Sequence, residues 1–197
     1  MKLMKLLTLF VALCVALIAT SSANAALVAS GDGQTVYDTD LNITWLANSL
    51  LSATNTFGLT TGVNLGTDSY GNQSIISSDG SMTWGGAIKW IAAMNAANFR
   101  GYSDWRLPTT LQPDPSCSYF NLGCIGSEMG HLYYTEMNGP AGIPIMSGVG
   151  NCARGNCALF QGMAFTPWSG TEFALNPADA WLFTGYGEQY HAIRTLI

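Results

Sequence analysis

The chain has 197 residues, of which 48% are hydrophobic and only 10% charged, with a formal net charge of −5. Lys2 and Lys5 fall at the extreme N-terminus, so beyond them five basic side chains face twelve acidic ones. That balance argues against a nucleic-acid partner, whose binding rests on neutralising phosphates with Lys and Arg, and disfavours anionic membrane surfaces for the same reason.

Lys2 and Lys5 are followed by an apolar run from Leu6 to Ala19, and Ala23-Asn24-Ala25 supplies a small-x-small cleavage pattern. This is the layout of a secretory signal peptide, and the run is short for a membrane span. Cys14 lies inside the run, not at its end, which argues against lipoprotein-type modification. The sequence therefore predicts a signal peptide over 1–25 and one mature domain over 26–197. That domain is expected in the periplasm or medium with no membrane anchor. It is long enough for a real core, shows no internal repeat, and is poor in Lys and Glu but rich in Trp, Tyr, Gly and Asn, as an exported β-rich domain is.

VYDTDLNITWLAN opens the ordered part. Val36-Tyr37 and Ile43 to Leu46 are β-favouring runs, and the polar Asp38 to Asn42 segment between them reads as a hairpin turn. Asp38, Asp40 and Asn42 alternate there, so their oxygens are candidates for part of a calcium site. A solvated turn is the plainer reading, because the run is too short for an EF-hand loop; no other cofactor is expected. Residues 52–80 read as a long loop with at most a short strand or hairpin.

Thr83 is a good N-cap, and Trp84, Ala87, Ile88, Ile91 and Met94 recur at helical spacing after it. The Gly85-Gly86 pair should weaken the first turn by roughly 1 kcal/mol per glycine. Gln112-Pro113-Asp114 resembles the triplet that calcium-dependent lectins use for galactose-type sugars, although no Trp-Asn-Asp partner follows. Cys117, Cys124, Cys152 and Cys157 suggest two disulfides in an exported chain. The short spacings favour Cys117–Cys124 and Cys152–Cys157; zinc fits the spacings poorly.

A second helix is expected at EMGHLYYTEM, entered from Ser127 and closed by Asn138-Gly139, with Met129, Leu132, Tyr133 and Met137 as its apolar stripe. Glu128 and His131 have the Glu-x-x-His spacing of some metal ligands, but one copy is weak evidence. His191 reads as a packing or edge residue. Ser169 lacks a nucleophile elbow. Asp104, Asp114, Glu128 and Glu172 are the carboxylates that a hydrolase would need to bring together. Phe165 to Phe173, Ala180 to Thr184 and His191 to Leu196 carry strand character, so the element order indicates an α+β domain.

Several segments in this order, VYDTDLNITWLAN, the helix starting at MTW, GYSDWRLPTTLQPD, GSEMGHLYY, PWSGTE and the AWLF…HAIR ending, resemble the Lcl C-terminal (DUF1566) domain family of bacterial exported proteins. The resemblance spans roughly Val36 to Arg194, with Trp105 to Thr109 its most specific element. It implies a C-type-lectin-like fold: a twisted antiparallel sheet flanked by two helices, with long loops and adjacent N- and C-terminal strands. It also implies attachment to polyanionic glycans and surfaces.

Two readings of GYSDWRLPTT stay open. In one it is a structural clasp: Trp105 and Leu107 enter the core, Arg106 pairs with a carboxylate such as Asp104 or Glu172, and Pro108 ends the strand. In the other, Tyr102, Trp105 and Trp168 form an exposed aromatic platform for sugar stacking. The functional expectation is a secreted, non-catalytic binding or adhesion module for a glycan, another extracellular polymer or a surface protein. The alternatives are a structural component of an extracellular assembly and a carboxylate-dependent glycoside hydrolase.

Overall fold

The first hairpin forms where the sequence places it. A computed structural model describes residues 27–118, 121–145, 156–162 and 166–196. The predicted leader over 1–25 lies outside them. Strand β2 (Thr35–Asp38) and strand β3 (Ile43–Leu46) form the expected antiparallel hairpin, with Val36 opposite Trp45 and Asp38 opposite Ile43. An additional strand, β1 (Leu27–Ala29), adds to the other edge of β2. Val36 is buried and Tyr37 exposed, the alternation of a sheet with one covered face.

The loop after β3 is pinned without becoming a sheet. Leu65 N–H donates to the Ser74 carbonyl at 2.8 Å, and isolated bridges join Thr67 to Gln73 and Ile76 to Met82. Ile76 is fully buried against Trp90 and Met94. Helix α1 (Trp84–Ala96) starts at the predicted cap, where Thr83 Oγ1 accepts the Gly86 N–H at 3.2 Å. Its buried face is Gly86, Ala87, Trp90 and Met94, whereas Ile88 is exposed. The glycine pair has a packing reason: a Cβ on Gly86 would run into the Ile75 carbonyl, and one on Gly85 into Ser74 Oγ. The loop backbone lies directly on the first turn, and only glycine admits it.

The second helix departs from the expected form. A single α-helical turn, α2 (Glu128–Gly130), passes into a π-helical segment, His131–Glu136. The Met137 N–H reaches back five residues to the Leu132 carbonyl at 3.0 Å. Asn138 then adopts a left-handed conformation (φ 52°), and Gly139 N–H closes on the Tyr133 carbonyl at 2.8 Å, the stop expected of an Asn-Gly pair. Leu132, Tyr133 and Met137 pack with Val36 and Phe183 in one buried cluster, with Met129 at its margin.

The C-terminal third is a meander of β4 (Trp168–Glu172), β5 (Asp179–Phe183) and β6 (Gln189–Ile193), all antiparallel. The fold is thus α+β, but with two three-stranded sheets where one had been expected, β1-β2-β3 and β4-β5-β6. The terminal strands β1 and β6 are not neighbours. Each pairs with the strand next to it in sequence through a short turn, which costs little loop-closure entropy. The C-terminal end is tied elsewhere: the Arg194 carbonyl accepts the Trp84 N–H at 3.0 Å, at the start of α1. Trp168, Ala180 and Leu182 of the second sheet pack on Ala87 of that helix.

Cys117 and Cys124 form the expected disulfide. Cys157 is disulfide-bonded as well, and its expected partner Cys152 lies outside the described residues. Among the described residues no helix is long and apolar enough to cross a membrane.

Candidate functional site

GYSDWRLPTT forms no strand. It crosses the molecule as irregular backbone laid against β4. The Pro108 carbonyl accepts from Gly170 N–H at 2.8 Å and Ser169 Oγ at 2.9 Å, and Thr110 N–H donates to Thr171 Oγ1. Asn95 of α1 clamps Trp105 from both sides, accepting its N–H and donating to its carbonyl, each at 2.8 Å. The half-buried Trp105 ring lies beside Phe99, which in turn contacts Phe57 and so leads to Trp90. Leu107 joins the Ala87–Trp168–Leu182 cluster. Trp105 and Leu107 thus both pack against buried clusters, but without the strand on which the clasp reading placed them.

The partner of Arg106 also differs from the expected one. Neither Asp104 nor Glu172 reaches it; Glu128 does, with Nη1–Oε2 at 2.8 Å and Nη2–Oε1 at 2.6 Å. Glu128 stands at the start of α2, where its carboxylate also accepts the Thr109 N–H at 2.8 Å. Burial opposes ionisation of Glu128, but the Arg106 and Thr109 hydrogen bonds outweigh it and hold its pKa below the usual glutamate range. Glu172 is occupied by Arg194 at 2.7 Å, and Asp104 lies in the exposed stretch just ahead of Arg106.

Arg194 is a hub that sequence reasoning missed. Its side chain is 3% exposed, pairs with Asp68 at 3.3 Å as well as with Glu172, and lies over the Trp84 ring at 4.2 Å. It also donates to the Pro177 carbonyl. The only sequence signal was its being the sole Lys or Arg after Arg154.

A cleft of ≈ 960 Å³ runs between β3, α1, the Trp105–Pro108 segment and the second sheet. Its buried lining includes Trp90, Met94, Trp168 and Leu182; its exposed lining includes Tyr102, Asp104 and Arg106. Tyr102 is 46% exposed and meets Trp105 edge-on, ring centroids 5.6 Å apart. Trp168 is only 7% exposed and gives its indole N–H to the Met82 carbonyl at 3.0 Å, so it is no part of an exposed platform. The other indoles are also tied inside: Trp45 to Asp38, Trp84 to Ser169, Trp90 to Asn55, Trp105 to Phe99 and Trp181 to Gln112. Of the predicted trio, Tyr102 and Trp105 come together, and Trp168 contributes to the buried lining of the same cleft.

The Gln112-Pro113-Asp114 triplet is used internally. Gln112 Oε1 accepts from Trp181 Nε1 and Ala174 N–H, its Nε2 donates to the Glu172 carbonyl, and Asp114 accepts from Ser116 and Ser127. His191 stacks on Phe173 at 3.6 Å and contacts Asp179, the packing role expected of it.

The DTDLN turn diverges. Asp38 is fully buried; its Oδ1 accepts from the Asp40 and Leu41 N–H groups at 3.0 Å each, and its Oδ2 from Trp45 Nε1 at 3.1 Å. Asn42 turns instead to the exposed Tyr37, whose hydroxyl donates to Asn42 Oδ1 at 2.7 Å. Of the expected trio Asp38, Asp40 and Asn42, Asp38 is thus engaged by its own turn and by Trp45, and the left-handed Asn42 (φ 53°) by Tyr37.

Asp38 is joined by the π-helical segment. One donor atom from each of Asp38, His131 and Glu136 lies within 4.8 Å of the others. His131 Nε2 is 3.3 Å from Glu136 Oε1 and 4.0 Å from Asp40 Oδ2. Glu136 is 0% exposed, and among the described residues His131 Nε2 and both Glu136 oxygens have no hydrogen-bond partner. Burial, then the negative charge of Asp38, push the Glu136 carboxyl above its usual range against the opposing pull of His131. Sequence reasoning paired His131 with Glu128 at α-helical spacing and did not single out Glu136. The Asp114, Cys117 and Cys124 group offers no equivalent, since its sulfurs are spent in the disulfide.

No family model, no curated protein and no solved structure matches this chain.

Proposed function

We propose that this chain is a non-catalytic binding module of an exported protein, taking a glycan or another extracellular polymer at the cleft beside Tyr102 and Trp105. In this reading the fold is a C-type-lectin-like relative of the Lcl C-terminal domains, secreted or periplasmic after cleavage at the predicted signal peptide. The observation that carries it is the pairing of an apolar, aromatic-lined floor with a mouth of ring and charge, Tyr102, Asp104 and Arg106. Sugars present an apolar face and a rim of hydroxyls, and sites of mainly apolar lining with a few placed polar groups suit such ligands.

At the cleft, the binding reading is favoured over hydrolysis by the state of the two glutamates the sequence offered, Glu128 and Glu172; Glu136, whose carboxyl is raised, does not line it. A glycosidase acid needs a raised pKa and a partner across the scissile bond. Glu128 is instead held ionised by Arg106, and Glu172 is engaged by Arg194. The structural-component reading has one observation behind it: edge strand β6 exposes Tyr190 and Ile193, an edge on which another chain could add.

An array of neutral and acidic oligosaccharides, followed by tryptophan-fluorescence titration of any hit, tests the proposal. We expect a saturable change that Tyr102→Ala weakens about tenfold, the loss of roughly 1.4 kcal/mol of contact, with an unchanged melting temperature. Binding indifferent to Tyr102→Ala would remove the cleft from the reading. No ligand on the array, together with self-association lost on Ile193→Lys, would favour the structural role.

A further inference from the structure

We propose that Asp38, His131 and Glu136, with Asp40 at the margin, form a binding site for a divalent transition-metal cation. The first ground is an unanswered need. Glu136 is completely buried; the His131 imidazole stands 3.3 Å from Oε1, and neither oxygen has a well-formed hydrogen bond among the described residues. A carboxylate in that position is strongly unfavourable unless a proton or cation satisfies it. Charge points the same way. Three carboxylates, Asp38, Asp40 and Glu136, surround one imidazole, and none of them pairs with Lys or Arg among the described residues. Even a protonated His131 leaves the group net negative.

Geometry fits a small cation. Ligands about 2.1 Å from a tetrahedral metal stand about 3.4 Å from one another. His131 Nε2 and Glu136 Oε1 are 3.3 Å apart, and the three donor atoms lie within 4.8 Å of one another. Asp38 is already oriented: two backbone N–H groups hold one oxygen and the Trp45 indole the other. Outer contacts of this kind fix the direction of metal-binding carboxylates.

The π-helical segment supplies the remaining part. In an α-helix, residues five apart are separated by about 140° around the axis, so His131 and Glu136 would face different neighbours. The i→i+5 turn over His131–Glu136 brings the two side chains together beside Asp38 of β2. The donor set selects the class of ion. Imidazole nitrogen with carboxylate oxygen suits zinc, iron or manganese, whereas calcium asks for six to eight oxygens.

The competing state of the same groups is a protonated Glu136 beside His131, with no metal at all. Equilibrium dialysis of the chelator-stripped, purified chain against zinc, with calcium and magnesium in parallel, separates the two. We expect one zinc per chain and a melting temperature raised by zinc but not by magnesium. Glu136→Gln keeps the shape of the protonated acid, so it should stay folded by near-ultraviolet circular dichroism while binding zinc at least tenfold more weakly. His131→Gln should do the same, and Asp32→Asn, on an exposed carboxylate elsewhere, should change nothing. Sub-stoichiometric zinc, or zinc bound equally well by Glu136→Gln, would overturn the site and leave the protonated pair. Calcium bound as tightly as zinc and indifferent to His131→Gln would overturn the assignment to a transition metal.

Discussion

Arg106 and Glu128 meet in a two-point contact that joins the irregular Trp105–Pro108 segment to the first turn of α2. The Arg106 side chain is 50% exposed and Glu128 only 17%, so the pair falls between a surface ion pair and a buried one. Bidentate geometry and the added Thr109 N–H raise its worth, and solvent reduces it. Arg106→Lys, which keeps charge but loses the fork, should cost about 1 kcal/mol in urea unfolding. Because the folded pKa of Glu128 is depressed, its contribution is complete above the unfolded value of about 4.3 and is lost as pH falls through the lower folded value. Wild type should therefore lose stability below about pH 4 more steeply than Glu128→Gln. Parallel acid profiles would count against the pair as a stabilising clasp.

Arg194 should tolerate substitution far less. It is nearly fully buried, with two carboxylates and the face of Trp84 around it. Removing one partner from such an arrangement leaves charge without compensation and costs about 3–5 kcal/mol for buried pairs. We expect Arg194→Ala to approach that range, because Trp84 loses its stacked cation and the C-terminal end its anchor. A loss below about 1 kcal/mol by chemical unfolding would show the hub to be solvent-screened.

Gly86 gives a test of backbone approach. Alanine is the better helix former by about 1 kcal/mol, so propensity alone predicts that Gly86→Ala stabilises. The Ile75 carbonyl occupies the place of the new Cβ, and overpacking of this kind costs about 1–3 kcal/mol. Net destabilisation is expected by thermal unfolding, with Ala96→Gly on the exposed end of the helix as a propensity control. A Gly86→Ala variant more stable than wild type would refute the contact.

These cases show where the sequence is readable. The Thr83 cap, the β2–β3 hairpin, the Asn138-Gly139 stop and the Cys117–Cys124 link are all settled within a few residues, and each is where local chemistry puts it. What escapes is set at distance. Arg106 finds a carboxylate 22 residues away, and Arg194 finds Asp68 126 residues away. The Gly85-Gly86 pair looks like a weakness until the Ile75 backbone lies on it. Glu136 is hidden for a subtler reason: α-helical periodicity pairs residues three and four apart, and only a π-helical turn brings residue 136 to residue 131. The single sheet with neighbouring terminal strands was what the family resemblance implied; here each strand pairs only with its neighbour in sequence, and two sheets result.

The alkaline limit of stability should be set at Tyr133. Its hydroxyl donates within the turn after the π-helical segment, with the Ile143 carbonyl at 2.6 Å and the Pro140 carbonyl at 3.0 Å as acceptors. Its ring packs edge-on against Tyr134 at 4.8 Å and lies at 5.6 Å from Phe183. Burial, with the neighbouring Tyr134 adding to it, pushes the Tyr133 pKa up to about 12. A tyrosine whose folded value is raised contributes stability that is fully present below the unfolded value of about 10 and is lost as pH rises through the folded one. Ultraviolet titration of wild type should thus show a late tyrosinate step coinciding with loss of near-ultraviolet circular dichroism. Tyr133→Phe should be less stable near neutrality, by about 1 kcal/mol for the lost hydrogen bond, but should lose stability more slowly above pH 10. If the late step persists in Tyr133→Phe, the phenol responsible lies elsewhere and Tyr134, also raised chiefly by burial, takes its place.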